Sequence, residues 1–374
     1  MMAMAALMAA ACSNDYDESE QVIDVPVVET GIAITFSGQQ GEEAVTRATT
    51  PLSEAGVTTF KVWGYKNNDY DEGTGSYSGL QTVFPGYAVD WTRNSAATSI
   101  TNSDGWEYIL TDHPDQTIKY WDWGTKAYRF FGATNWNGDR PADPASYVAN
   151  KTYGAYGTEA STYEISMAVD CSGATDEAIA TKIAAMPYFS KLWFSTGNTI
   201  TYPKQEFGKP VQLEFMKPYT RVRFLFNYAY ASEGIKIKKQ EFKPTDDTKI
   251  TLKGTVTVIY PLTGTATKES YSVTAEASPS LDAFTEEYIP EGTEKWYTVL
   301  PRPNQGSYTM YVRMNNDSED KTAVVPAQFM TWLPGYSYTY IFKITEQGGV
   351  EIDLVQSAFT PWSEMDGERE VYNW

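Results

Sequence analysis

The chain has 374 residues. This is longer than a domain with a single hydrophobic core usually is, so we expect two domains. Its 29 basic and 48 acidic residues give a net charge of −19. That charge disfavours nucleic acids and anionic membrane surfaces as partners, because both repel it. The chain contains 27 Tyr, 16 Phe and 11 Trp, in runs interrupted by 27 Gly and 19 Pro. This composition favours an all-β chain.

The chain begins with a short apolar run, MMAMAALMAAAC, which ends in small residues and Cys12. The run is too short to span a bilayer. It resembles the apolar part of a secretory signal, and small residues before a cysteine resemble a lipoprotein processing site, after which Cys12 carries the lipid. Such sites usually have leucine where this chain has Ala9. A start that is rich in Ala and Met by accident is the alternative.

An acidic segment, SNDYDESEQ, follows Cys12 and has the composition of a disordered tether. It resembles the surface-export signal of lipoproteins in Gram-negative anaerobes. Together with Cys12 it predicts a lipoprotein of the outer membrane, exposed at the cell surface.

The first predicted strand is GIAITFSG, residues 31–38, in which Ile32, Ile34 and Phe36 alternate onto one face. TTFKVWGY, residues 58–65, shows a similar alternation. Further aromatic and β-branched runs separated by turn residues follow in both halves of the chain. This pattern is typical of β-sandwiches.

One helix is predicted within residues 175–187, where Thr175 caps the first turn and Pro187 ends the last. Just before it lies Cys171, the only cysteine besides Cys12. We expect Cys171 to be a small buried apolar side chain and expect no disulfide framework.

The polar run STGNTITYPKQEFGKP is the best candidate for a domain boundary. We therefore expect a signal and tether over residues 1–30, one domain over 31–205 and a second domain over 206–374. The last strand of the second domain begins near Val350 and is interrupted before Pro361, which has no N–H to donate.

Motifs for catalysis are weak throughout the sequence. The single histidine, His113, excludes a two-histidine zinc site and is expected to be a turn residue before Pro114. SEDK lacks the companion motifs of acyl-serine enzymes, and the calcium-loop start at Asp69 lacks its closing glutamate. No carboxylate pair stands out for glycoside hydrolysis. We expect no enzyme, no metal and no cofactor.

Five tryptophans lie between residues 91 and 136, in the first half of the chain, and exposed tryptophans stack on sugar rings. The alternative is that they fill a sandwich core, with Trp121 and Trp123 on one face and Tyr128 and Phe130 on another. We favour the core, and carbohydrate binding stays open. The five are Trp91, Trp106, Trp121, Trp123 and Trp136.

Strand-like segments over nearly the whole chain resemble the fimbrillin family, the type V pilins and related Mfa-like lipoproteins. The segments are the lipoprotein-like start, GIAITFSG, TRAT, FKVWGY, KYWDW with AYRFFGA, VQLEFMKPYTRVRF, YTVLPRP and YSYTYIFKITEQGGVEIDLVQSAFTPW. The resemblance implies an all-β fold with two transthyretin-like β-sandwich domains in tandem and one short helix in the first. It also implies that the protein is exported as a lipoprotein and is a stalk, tip or anchor subunit of a surface pilus. One departure follows the phenylalanine of VQLEF: relatives often have a histidine there, where this chain reads Met216-Lys217-Pro218.

The resemblance also implies a processing site. In the family an arginine-specific protease cuts the loop after the first strand, and Arg47–Ala48 matches that position. Loss of the strand that holds Ile32, Ile34 and Phe36 uncovers an apolar groove and an unpaired edge, which a neighbouring subunit's strand fills. An ordinary loop that happens to contain an arginine is the alternative.

The segment WSEMDGEREVYNW after Pro361 is the candidate donor, since its apolar residues are too sparse to build a strand alone. A frayed, solvated segment is the alternative. Two functions remain open: a pilus subunit that polymerises with other pilins, or a monomeric surface lipoprotein that binds glycan or a host ligand through aromatics. The candidate donor residues are Trp362, Met365, Val371, Tyr372 and Trp374.

Overall fold

The computed structural model describes residues 31–40, 59–91, 105–110, 113–134, 147–153, 160–184, 186–197, 206–289, 295–302 and 306–359. Within these ranges the chain forms strands and one α-helix, α1, at Asp176–Ala184. The first strands are β1 Phe36–Gln40, β2 Thr59–Asp71, β3 Ser76–Trp91, β4 Trp106–Glu107, β5 Ala127–Thr134, β6 Tyr147–Tyr153, β7 Ala160–Asp170, β8 Tyr188–Ser190 and β9 Trp193–Thr196. The others are β10 Val211–Met216, β11 Thr220–Asn227, β12 Ile237–Pro244, β13 Ile250–Thr251, β14 Lys253–Pro261, β15 Ser270–Ala275, β16 Ser280–Leu281, β17 Phe284–Glu287, β18 Tyr297–Val299, β19 Tyr308–Met314, β20 Lys321–Val325, β21 Tyr336–Ile344 and β22 Val350–Phe359.

The largest sheet has eight strands in the order β1-β10-β8-β5-β2-β3-β4, with β9 also paired to β5. Every residue of β5 is buried, because apolar clusters cover both faces of the sheet at this strand. Close packing here needs a glycine in β2: a Cβ on Gly64 would stand 2.6 Å from the ring of Phe130. The sheet therefore separates two cores.

A four-stranded sheet in the order β15-β14-β7-β6 packs against one face of this large sheet. The contact is aromatic at its centre, where Phe131 of β5 stacks on Tyr260 of β14 with ring centroids 3.9 Å apart. Trp63 of β2 and Met167 of β7 belong to the same cluster. These two sheets form the first sandwich.

Two further four-stranded sheets form the second sandwich, in the orders β18-β11-β21-β22 and β17-β12-β19-β20. Their inner faces share one large core, in which Phe224 of β11 meets Phe242 of β12 with centroids 4.6 Å apart. Trp332 is fully buried in this core and donates from Nε1 to the hydroxyl of Tyr340 across 2.8 Å. A short pair, β13-β16, forms a separate two-stranded sheet whose Ile250 is buried in the same core.

The prediction of an all-β chain with sandwiched sheets and one short helix is confirmed. Helix α1 begins after Thr175, whose hydroxyl accepts from the N–H of Ala178 across 3.2 Å, as the capping prediction requires. Ile183 of the helix packs against a small buried cluster that includes Met186. Cys171 is buried as predicted, and burial raises the pKa of its thiol.

The predicted boundary between residues 205 and 206 stays a prediction. Two ladders cross it: β10 joins the large sheet of the first sandwich, and β14 pairs along its length with β7. The polar run at the boundary therefore separates segments of sequence that share hydrogen-bonded sheets.

Candidate functional site

Among the strands that the structure describes, β1 lies at the edge of the large sheet and pairs with one neighbour, β10, in parallel. The register sets Phe36 opposite Val211, and the N–H of Val211 donates to the carbonyl of Thr35 across 2.8 Å. Within the described ranges, the ladder of β1 therefore runs to β10.

The residues just before β1 bond to a different part of the chain. The N–H of Ile34 donates to the carbonyl of Lys119 across 2.7 Å, and the N–H of Trp121 donates to the carbonyl of Ile32 across 2.9 Å. Ala33 and Tyr120 form the bridge between these bonds. The segment 32–40 thus spans the gap between residues 119–121 and β10.

The apolar side chains of this segment fill one end of a core. Ile34 and Phe36 are completely buried. The ring of Phe36 meets those of Phe84, Phe130 and Tyr108 edge to face, at centroid distances of 5.1, 5.9 and 6.0 Å. The side chains of the segment are therefore part of the core itself.

The prediction that Ile32 shares this burial is wrong, since its side chain is 50% exposed. The strand proper begins only at Phe36, and Ile32 lies at the rim, where the segment enters the core. Its Cδ1 stands 3.8 Å from the position that a Cβ on Gly208 would take. The apolar contribution of the segment comes from Ile34 and Phe36.

Two residues that the sequence analysis did not single out hold the 119–121 segment in place. The hydroxyl of Tyr108 accepts from the N–H of Lys119 across 3.1 Å, and burial raises the pKa of Tyr108 to about 12, which keeps it neutral. The buried Gln116 donates from Nε2 to the carbonyls of Ala88 and Tyr108 at 3.0 and 2.5 Å. No motif in the sequence marks either residue.

Four of the five tryptophans fall within the described residues. Trp106 and Trp121 are buried in the core that holds Phe36, Trp91 packs against it and is half-buried, and Trp123 is 55% exposed. The prediction of one shared face for Trp121 and Trp123 is wrong: Trp121 is buried, whereas Trp123 is exposed in a turn closed by the N–H of Thr125 on the carbonyl of Asp122. Tyr128 and Phe130 do share a side, stacked at 5.6 Å.

The remaining predicted residues fall into two groups. His113 lies at a turn, where its N–H donates to the carbonyl of Leu110 across 3.1 Å. In the part of the chain that the structure describes, no three His, Cys, Asp or Glu side chains gather as metal ligands, and no helix there has the length and apolar character to cross a membrane. Outside the described residues lie Cys12, Arg47, Ala48, Trp136, Trp362, Met365, Val371, Tyr372 and Trp374.

No protein-family model matches the chain, and no curated protein matches it. Among solved structures, the chain is similar to a protein from Bacteroides ovatus provisionally assigned to cell adhesion, with 13% identity, 90% of this chain and 99% of that chain covered, and a TM-score of 0.35. It is similar to the fimbrial anchor protein Mfa2 from Porphyromonas gingivalis, with 10% identity, 88% and 98% coverage and a TM-score of 0.30.

A fimbrial assembly protein from Parabacteroides distasonis matches at 11% identity, with 88% of this chain and 99% of that chain covered and a TM-score of 0.28. Fimbrial proteins, the class that the sequence resemblance predicts, thus occur among these structures.

Proposed function

We propose that this protein is a non-enzymatic structural subunit of a surface pilus of the fimbrillin type, exported as an outer-membrane lipoprotein and assembled by strand exchange. Its partners are then other pilin subunits, an arginine-specific protease and, through the lipid on Cys12, the outer membrane. The placement of β1 supports the proposal most directly: among the described strands it is an edge strand with one neighbour, β10, and the segment that contains it carries two completely buried side chains, Ile34 just before the strand and Phe36 at its start.

The energetics of that strand favour exchange. Removal of the segment 31–40 would expose the sites of Ile34 and Phe36, each worth ~1.5–3 kcal/mol when buried. It would also leave the β10 edge without its parallel partner, and an unpaired edge is a template for another strand. A strand from a second subunit restores both the apolar contacts and the hydrogen bonds.

The test is cleavage of the purified full chain by an arginine-specific endoproteinase. We expect a new N-terminus at Ala48, followed by oligomers that appear as a ladder on native gels. The matched control is Arg47→Ala, which should stay uncut at this position and monomeric. A chain that is cut after Arg47, loses residues 1–47, keeps the Arg369–Glu370 bond intact and stays monomeric would rule out strand exchange.

A second candidate function, carbohydrate binding through exposed aromatics, has one specific observation in its favour. Trp123 is 55% exposed, and Gly208 leaves room beside its indole: a Cβ there would stand 3.1 Å from the ring. Loss of glycan binding in Trp123→Ala, measured on an array of immobilised glycans, would support this function. Equal binding by the variant would exclude Trp123 as the site.

A further inference from the structure

A cavity of about 290 Å³ opens at one end of the second sandwich, between the β11–β12 connection and the residue pair that follows β17. Small-molecule sites have volumes of ~300–1,000 Å³, so this cavity suits a ligand at the small end of that range. Its walls include Tyr228, Ala231, Glu233, Ile235, Lys236 and Ile289.

Hydrogen bonds hold the β11–β12 connection in shape. The N–H of Ala231 donates to the carbonyl of Tyr228 across 2.9 Å. The hydroxyl of Ser232 donates to the carbonyl of Glu346 across 2.8 Å, so the connection is tied to the β21–β22 turn. The cavity is therefore formed before any ligand arrives, which reduces the ordering cost of binding.

Two exposed tyrosines lie one residue from the cavity wall. Tyr288 precedes Ile289, is 78% exposed and has a backbone φ of 55°, a region that bulky side chains rarely adopt. Such a strained backbone persists only where the surroundings impose it, and it is more frequent at functional sites. Tyr230 precedes Ala231, is 58% exposed, and has the Lys343 ammonium 5.1 Å from its ring centroid.

Among the described residues that line the cavity, one is acidic, Glu233, and one is basic, Lys236. Glu233 forms no ion pair with any other residue in the described ranges, and the ammonium-bearing Lys236 lines the same space. Glu233 disfavours an anionic ligand and Lys236 disfavours a cationic one. The ligand that fits both is neutral and donates hydrogen bonds to a carboxylate.

We propose that this cavity binds a neutral saccharide unit of one or two rings. A sugar ring presents C–H faces to Tyr228, Ile235 and Ile289 and hydroxyl donors to the Glu233 carboxylate and the Ser232 hydroxyl. This inference rests on the second candidate function only for the class of ligand, a saccharide. The site itself is a different one, because the cavity residues are remote in sequence from Trp123. It does not require polymerisation.

The test is saturation-transfer NMR on the uncut full chain, with the methyl glycosides of glucose, galactose, mannose and N-acetylglucosamine as probes. We expect at least one glycoside to bind. Glu233→Gln, which keeps the shape of the cavity, and Ala231→Phe, which fills it, should each weaken binding tenfold or more. Glu319→Gln, an exposed carboxylate in the β19–β20 turn, is the matched control and should bind as the wild type does.

Several outcomes would overturn the proposal. Binding by none of the four glycosides, or binding that survives in both cavity variants, would exclude a saccharide in this cavity. Binding of tetramethylammonium in place of the glycosides would show a cation site instead. Loss of glycoside binding in Trp123→Ala, with both cavity variants intact, would place the saccharide at Trp123 and leave the second candidate function standing.

Discussion

The ring of Phe36 lies edge to face against the ring of Phe84, with centroids 5.1 Å apart and planes at 75°. Phe36 belongs to β1 and Phe84 to β3, which stand near opposite ends of the strand order of the large sheet. Their contact shows that the sheet curls far enough for β1 to close the core opposite β3. Strand β1 therefore lies at the edge of the sheet by its hydrogen bonds, although the side chain of Phe36 is buried in the core.

This contact predicts unequal costs for two substitutions in one segment. Phe36→Ala should lower the free energy of unfolding by about 3–5 kcal/mol, because a buried aromatic ring leaves a cavity. Ile32→Ala, at the half-exposed end, should cost less than about 1 kcal/mol. Urea unfolding followed by tryptophan fluorescence measures both. Similar losses in the two variants would mean that the segment does not pack as described.

The buried Lys217 predicts a pH dependence of stability. Its Nζ donates to the carbonyl of Met186 across 2.5 Å and lies 3.8 Å from the ring centroid of Tyr188, and burial lowers the pKa of Lys217 from 10.5 to about 7. Between these values the unfolded chain binds a proton that the folded chain has released. The free energy of unfolding therefore rises with pH over this window, by up to about 1.4 kcal/mol per pH unit.

Lys217→Met should lack this rise, so its stability advantage over the wild type should be largest near pH 6 and shrink toward pH 10. Urea unfolding at a series of pH values checks it. Lys209→Met, which removes an exposed lysine paired with Glu206, is the control and should leave the pH slope unchanged. If the free energy of unfolding changes with pH in the same way for the wild type and for Lys217→Met, the lowered pKa of Lys217 is contradicted.

A third prediction concerns the lipid. Cys12→Ala should release the protein from the membrane fraction, because a chain with a net charge of −19 has no electrostatic attraction to an anionic surface. Stable anchoring takes at least two acyl chains, which lipoprotein modification supplies. Cell fractionation and immunoblotting give the distribution, with Ser13→Ala as the neighbouring control. Unchanged membrane association of Cys12→Ala would exclude this cysteine as the anchor.

A fourth prediction assigns the donor. Deletion of residues 363–374 should leave the melting temperature of the uncut protein unchanged, since β22 already pairs with β21 up to Phe359. The same deletion should abolish the oligomers that form after cleavage at Arg47. Native gels before and after proteolysis compare the two chains. If the truncated protein forms the same ladder, the donor lies elsewhere in the chain.

Local sequence patterns were sufficient for the class of the fold and for several of its elements. Alternation in residues 31–38 predicted a strand, which the structure has from Phe36 onward, and Thr175 with the residues after it predicted a capped helix. Both signals depend on neighbours a few positions away. The resemblance to fimbrial proteins also came from the order of strand-like segments, before any contact was known. These features follow from the local amino-acid sequence.

Only the tertiary structure decided which side chains the core takes in. Ile32 continues the alternation of Ile34 and Phe36 but lies at the rim, and Trp123 lies two residues from the buried Trp121 but on a turn. The same holds for the sheets: β10 joins β1 across some 170 residues of chain, and β14 joins β7 across the predicted boundary. Periodicity reports which face a residue takes within its own strand, whereas burial depends on which distant strand covers that face.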